Sequence, residues 1–133
     1  MGKKIMVVDD DPSVRTTIKE GLETFSQEYE VISIESGEQC FNCLKNNKIP
    51  DLILLDIMMP DMDGWQVLNR LRDNNEWSKI PIVFLTAKTD DFSKTFGKTV
   101  SQDYIEKPFR MSDLKQRIDM VLKKNDPNYS NLI

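Results

Sequence analysis

Four apolar runs in this chain each end on a polar residue. Ile5-Met6-Val7-Val8 runs into Asp9-Asp10-Asp11, Leu52-Ile53-Leu54-Leu55 into Asp56, Ile82-Val83-Phe84-Leu85 into Thr86, and Tyr104-Ile105-Glu106 into Lys107. Leu52 to Leu55 is apolar on consecutive residues, which marks a strand buried on both faces at the centre of a parallel sheet. In an open parallel α/β sheet, ligands bind beyond the carboxyl ends of the strands. If these runs are strands of one such sheet, three carboxylates, a hydroxyl and an ammonium share one crevice.

Helical patterns separate the runs. Asp11-Pro12 is a good helix start, with an N-cap acceptor before a proline at the first helical position. Val14, Ile18 and Leu22 recur at helical spacing, and Phe25 continues the stripe. Val31 to Ile34 reads as the second strand. Ser36-Gly37-Glu38-Gln39 fits a capping box for a helix that buries Phe41 and Leu44, and Asn46 to Pro50 ends it. Pro60 to Gly64 is a loop before a third helix with Val67, Leu68 and Leu71 inward. The fourth strand runs from Ile80 to Leu85. Thr89 to Ser101, with Phe92 and Phe96, is the weakest helix because Gly97, Thr99 and Val100 are poor helix formers. Asp103 to Glu106 is the last strand. Ser112 caps a final helix whose inward residues are Leu114, Ile118, Val121 and Leu122. Trp65, Phe92 and Phe96 read as packing, and Trp77 as a cover on the sheet edge.

Five βα units with right-handed crossovers leave few topologies. The expected fold is a flavodoxin-like, doubly wound, five-stranded parallel sheet of order 2-1-3-4-5 with five helices. Strands one and three are neighbours at its switch point, which brings Asp9, Asp10 and Asp56 together. The domain is expected over residues 3–124, with 125–133 a tail or the start of a linker.

Composition removes whole classes of function. The 133 residues contain no histidine, so histidine general-base and Ser-His-Asp chemistry is excluded. Cys40 and Cys43 cannot complete a zinc site alone, and their place inside a helical pattern favours packing over redox work. A net charge of −4 argues against a nucleic-acid surface. No apolar stretch approaches the roughly 18 residues that span a bilayer. No signal peptide follows Met1-Gly2-Lys3-Lys4, so the expected location is cytoplasmic.

Two carboxylates 4 Å apart repel by roughly 4 kcal/mol at an effective dielectric near 20, so a cluster of them implies a cation. Mg²⁺ takes oxygen ligands and commonly uses one or two carboxylates plus phosphate oxygens, which suits Asp9, Asp10 and Asp56. An aspartate can also act as a nucleophile toward phosphorus. Phosphoryl transfer needs positioning and positive charge more than acid-base groups. Lys107 and the Thr86 hydroxyl can supply these, and Ala87 leaves room beside them. Asp11 alone reads as the helix cap.

Val7-Val8-Asp9-Asp10, Leu54 to Gly64, Phe84-Leu85-Thr86-Ala87 and Glu106-Lys107-Pro108-Phe109 together resemble the receiver domain of two-component response regulators, chemotaxis regulators among them. The match is ordered, correctly spaced and spans Lys3 to Lys124. The resemblance implies that Asp56 is the phosphoacceptor for a sensor histidine kinase or phosphotransfer protein. It implies that Asp10 ligates Mg²⁺ directly, Asp9 mainly through water, and Met58 by its backbone carbonyl. Thr86 and Lys107 would contact the phosphoryl group, Pro108 would be a cis-proline, and Tyr104 the aromatic switch. The downstream protein target would dock on the face of the fourth helix, fifth strand and fifth helix, with no nucleic acid or membrane contact by this domain. The Thr89 to Ser101 segment is expected to move most, because its helix propensity is weak. Met58 and Lys88 would flank the path of the attacking water, and neither can orient it as a carboxylate or amide would, so phosphoryl loss should be slow.

The chain departs from the family where many members carry Gly-Ala before the switch aromatic; here the segment reads Thr99 to Tyr104. Such a domain is a signalling phosphoacceptor that catalyses only its own phosphorylation and dephosphorylation. A constitutive receiver-like binding module would lack an acidic residue or the lysine, and all are present. An Asp-nucleophile phosphatase of the haloacid-dehalogenase kind would use Asp9-x-Asp11, but its cap domain does not fit and the best nucleophile follows strand three. A flavodoxin would need a Ser/Thr-rich loop after the first strand.

Overall fold

The computed structural model describes residues 2–25, 27–87 and 103–127; the Phe25 and Asp103 side chains lie outside the described residues. So do Lys88, the Thr89 to Ser101 segment and the tail beyond residue 127. The elements in chain order are β1 (Lys3–Val8), α1 (Pro12–Phe25), β2 (Tyr29–Ile34), α2 (Gly37–Lys45), β3 (Leu52–Asp56), α3 (Gly64–Arg72), β4 (Ile82–Ala87), β5 (Asp103–Lys107) and α4 (Met111–Lys124). The five strands form one sheet of order β2-β1-β3-β4-β5, every neighbouring pair parallel. Four helices are described, and the Thr89 to Ser101 helix expected from the sequence lies outside the described residues.

Successive residues of a strand point to opposite faces, and that alternation divides the apolar runs between two cores. Met6, Val8, Ile53, Leu55, Ile82 and Phe84 pack with Phe41 and Leu44 of α2 and Val67, Leu68 and Leu71 of α3. Ile5, Val7, Leu52, Leu54, Val83 and Leu85 pack with Ile18 and Leu22 of α1 and Leu114, Ile118 and Val121 of α4. A strand covered on both faces has no solvent side, which is why β3 is apolar without alternation.

The ends of the elements differ from the sequence reading in instructive ways. β1 begins at Lys3, not Ile5, because the main chain at the lysines is held: Lys3 N–H donates to Glu28 O at 2.7 Å, and Lys4 N–H to Asp51 Oδ2 at 2.7 Å. β4 runs to Ala87, paired with Lys107, so Thr86 lies within the strand. Only half of the Ser36 capping box forms. Ser36 Oγ accepts from Gln39 N–H at 3.1 Å, but Gln39 Oε1 accepts from Glu35 N–H. The full capping box is on α3, where Asp63 accepts from Gln66 N–H and Gln66 Oε1 from Asp63 N–H, each at 2.9 Å.

Helix α2 stops in a Schellman arrangement with Asn47 at φ 62°, a conformation asparagine tolerates. Asn47 N–H donates to Leu44 O and Lys48 N–H to Cys43 O. Ser112 is not the cap of α4. Arg110 holds that position, with its carbonyl accepting from Leu114 N–H at 3.0 Å and no side-chain cap bond, so Ser112 falls inside the first turn. Trp77 is core rather than edge cover: it is 8% exposed and its ring lies 5.8 Å from that of Phe41.

Replacing an N-cap aspartate by alanine costs roughly 1 kcal/mol, which in a domain of this size lowers the melting temperature by about 4 °C. Asp63→Ala should show that loss in a thermal melt, whereas Ser112→Ala should leave the midpoint in place. Equal losses for both would contradict the capping assignment.

Candidate functional site

Asp9 follows the last residue of β1 and is fully buried. Its N–H donates to Ile34 O at 3.1 Å, its Oδ1 accepts from Asp11 N–H at 2.9 Å, and its Oδ2 accepts from Lys107 Nζ at 2.9 Å. Asp56 ends β3 at 5% exposure, and its Oδ1 accepts from the same Lys107 Nζ at 3.3 Å. Asp10 is solvent-exposed. Carboxylate oxygens of Asp9, Asp10 and Asp56 lie within 4.8 Å of one another. The cluster expected from the strand ends is therefore assembled, because β1 and β3 are neighbours and β5 brings Lys107 across from two strands away.

The electrostatics are unbalanced. Burial first, and then the Asp9 charge, push the Asp56 carboxyl up to about 7, against the pull of Lys107. Burial works against the charged form of Lys107, but its bonds to Asp9 and Asp56 outweigh this and its ammonium titrates above the ordinary lysine value. One ammonium thus faces two buried carboxylates and a third at the rim. Three close carboxylates with an open side offer hard oxygen donors to a small divalent cation, and Mg²⁺ fits that donor set.

Thr86 is buried, its hydroxyl 3.3 Å from the Ala87 carbonyl oxygen, to which it donates. Lys107-Pro108 is a cis peptide, as the resemblance implied. Tyr104 is half-buried against the core and lies opposite Phe84 in the β4–β5 register. The Met58 side chain is 69% exposed. Asp11 accepts from the Ser13 amide and hydroxyl at 2.9 and 2.7 Å, which hold its carboxyl below the ordinary value and fit a helix cap. Burial pushes the Cys40 thiol up to about 12, the opposite of what a redox thiolate needs.

Gly64 carries part of the site and was not singled out from the sequence. A Cβ there would sit 2.6 Å from the Asp56 carbonyl oxygen. Only glycine lets α3 start directly against the end of β3, and Gly64 N–H donates to Ile57 O at 2.8 Å to close that loop. The signal was present in Asp63-Gly64, a turn-forming pair just after the acidic strand end. Arg15 was also missed; its Nη1 donates to the Asp9 carbonyl at 2.7 Å.

Comparison with known proteins agrees with this geometry. Residues 5–119 match the response regulator receiver domain family. The chain is 37% identical over 127 residues to the alkaline phosphatase synthesis transcriptional regulatory protein PhoP of Bacillus subtilis, covering 95% of this chain and 51% of that one. It is 37% identical over 131 residues to the phosphate regulon transcriptional regulatory protein PhoB of Pseudomonas aeruginosa, covering 98% and 56%. It therefore spans about half the length of these curated relatives. Among solved structures, the receiver domain of a Francisella response regulator superposes with a TM-score of 0.81 at 29% identity, covering 94% of this chain and 100% of that one. A CheY-like receiver domain protein from Methanospirillum hungatei gives 0.72 at 38% identity, covering 90% of each chain. Fold, acidic cluster and relatives agree that this chain belongs to the response regulator receiver domain family of two-component signalling.

Proposed function

We propose that Asp56 receives the phosphoryl group of a partner's phosphohistidine and that the resulting change of state is read by a second protein or domain. The single observation that carries this is Asp56 at the end of β3, buried, with Asp9 and Asp10 beside it and Lys107 Nζ at 3.3 Å. The donor is a sensor histidine kinase or phosphotransfer protein, since this chain has no histidine of its own. The setting is cytoplasmic, and no described helix is long and apolar enough to cross a membrane. Catalysis is confined to the domain's own phosphorylation and dephosphorylation. The receiver occupies residues 3–124.

In the transfer, a carboxylate oxygen of Asp56 attacks phosphorus in line. The new P–O bond forms as the P–N bond to the donor imidazole breaks, and the imidazole nitrogen keeps the electron pair and takes up a proton. Asp10, Asp9 through water, Asp56 and the Met58 carbonyl would hold Mg²⁺, which when bound neutralises charge on the phosphoryl oxygens. Lys107 reorients from the Asp56 carboxylate to the phosphoryl oxygens, and the Thr86 hydroxyl leaves the Ala87 carbonyl to donate to them. Movement of Thr86 frees space beside Tyr104, and phosphorylation shifts a pre-existing equilibrium toward the state with that ring turned inward. The downstream partner reads the face that includes β5 and α4.

Acetyl phosphate with Mg²⁺ should add one phosphoryl group by intact mass, and Asp56→Asn should abolish the addition. A mass shift that survives in that variant would falsify Asp56 as the acceptor. A ligand that binds only the native state stabilises it by about 2.7 kcal/mol at 100 times its dissociation constant, so Mg²⁺ should raise the wild-type melting temperature. Asp10→Asn relieves carboxylate repulsion, so it should melt above wild type in chelator yet respond little to Mg²⁺. A full Mg²⁺ response in Asp10→Asn would remove that residue from the ligand set. For the switch, protein labelled with 3-fluorotyrosine should show a second Tyr104 fluorine resonance that grows with the phosphorylated fraction. Thr86→Ala, phosphorylated to the same extent, should show less of it; an unchanged proportion would rule out Thr86 as the trigger.

A further inference from the structure

Arg15 sits one turn into α1, half-buried, directly behind the acidic loop. Its Nη1 donates to the Asp9 carbonyl at 2.7 Å and its Nε donates to Ser33 Oγ at 3.1 Å. Among the described residues it forms no ion pair, although it bonds the backbone of Asp9, a member of the three-carboxylate cluster. Its planar donor fork is spent on a neutral carbonyl and a hydroxyl, so its bonds report placement rather than charge neutralisation.

The bonded carbonyl is a critical one. The Asp9 carbonyl and the Asp10 N–H belong to one planar peptide unit. Every other handle on Asp9 is already held: the amide by Ile34 O, Oδ1 by Asp11 N–H and Oδ2 by Lys107. The Asp9 Oδ1–Asp11 N–H bond closes an Asx turn around the Asp9–Asp10 peptide; what it leaves open is a flip of that peptide within the turn, and a flip re-aims the Asp10 carboxylate. Arg15 closes this freedom and refers it to Ser33 of β2, which pairs with Val7 of β1 in the rigid sheet.

We propose that Arg15, braced by Ser33, is a positioning residue for the metal site: it locks the Asp9–Asp10 peptide so that the exposed Asp10 carboxylate is aimed at the cation. The metal half of this inference rests on the function proposed above; the peptide lock does not. Two physical effects of Arg15 have opposite signs, which makes the proposal decidable. As a nearby cation it repels Mg²⁺, so charge alone predicts tighter binding when it is removed. As a positioning group it presents a ligand, so its removal weakens binding. Supporting groups of this kind typically change metal affinity by about tenfold or more.

The experiment compares wild type with Arg15→Met, Arg15→Lys and Ser33→Ala. Mg²⁺ affinity is measured by calorimetric titration, and the order parameters of the Asp10 and Asp11 amides by ¹⁵N relaxation without metal. Arg15→Met should weaken Mg²⁺ binding about tenfold and lower the Asp10 order parameter from a rigid value near 0.85 toward about 0.6. Ser33→Ala keeps the charge and loosens the brace, so it should weaken binding by a smaller factor. Arg15→Lys can reach one acceptor but not both and should recover part of the loss. Tighter binding in Arg15→Met with no change in Ser33→Ala would overturn the proposal in favour of charge, as would unchanged amide order parameters. Should Arg15→Met fail to fold, Ser33→Ala and Arg15→Lys decide by the same signs. Absence of Mg²⁺ binding in wild type would defeat the proposed function instead, and the metal-free relaxation data would still test the lock.

Discussion

One ammonium holds two buried carboxylates apart from open conflict. Lys107 Nζ lies 2.9 Å from Asp9 Oδ2 and 3.3 Å from Asp56 Oδ1, and neither aspartate is more than 5% exposed. Taking charges out of water is expensive, and removing one partner of a buried pair leaves the other uncompensated at a cost of about 3–5 kcal/mol. The order β2-β1-β3-β4-β5 supports this contact, since it places β3 beside β1 and lets β5 reach over β4. The cis peptide at Pro108 and the start of α4 at Met111 follow within four residues of Lys107, so the chain leaves the site directly into the helix that covers the second core.

Lys107 does not finish the neutralisation. The Asp56 carboxyl remains pushed up by burial and by Asp9 even with the lysine bound, and Asp10 adds a third carboxylate at the rim. A site left unsatisfied in this way is a recognised mark of function, because local stability has been given up where a ligand is to be accommodated. In the proposed function a divalent cation would supply the missing charge, and a phosphoryl group would give both cation and ammonium something to hold. The same imbalance explains why the supporting bonds are dense. Asp9 is tied at its amide, its carbonyl and both carboxylate oxygens, which stops the cluster relaxing outward into solvent.

Most of the fold was legible because it depends on burial, and burial writes itself into hydrophobic period. The unalternating Leu52 to Leu55, the helical stripes of Ile18 and Leu22, and of Leu114, Ile118 and Val121, all point to a sheet covered on both faces. The acidic cluster was legible for a related reason, since topology alone brings strand ends one and three together. What sequence concealed were features decided by single bonds rather than by period. Lys3 and Lys4 carry no apolar signal, and their place in β1 comes from main-chain bonds to Glu28 and Asp51. Ser112 has the right chemistry for a cap, but Arg110 occupies the position. Trp77 stands among polar neighbours, and its burial follows from contact with Phe41, which is distant in sequence. Arg15 looked like any surface arginine on an amphipathic helix.

The path from the site to the rest of the domain follows from the same strand period. Thr86 and Phe84 are two apart on β4 and so share a face. Phe84 is fully buried, lies opposite Tyr104 in register and has the Trp65 ring 5.0 Å away. Trp65 is the second residue of α3, next to Gly64, whose lack of a Cβ lets the helix start close against the Asp56 carbonyl. The end of β3 at Asp56 and the Thr86 strand β4 thus lead, by separate routes, to one aromatic set made of Trp65, Phe84 and Tyr104. Two members of that set are only half-buried. Dense packing transmits small displacements rather than absorbing them, and a ring with one side in solvent has an alternative place to go. In the proposed function, a shift at Thr86 or at the β3–α3 turn would reach these half-buried rings before the core. In the proposed switch, this gives Tyr104 two inputs instead of one.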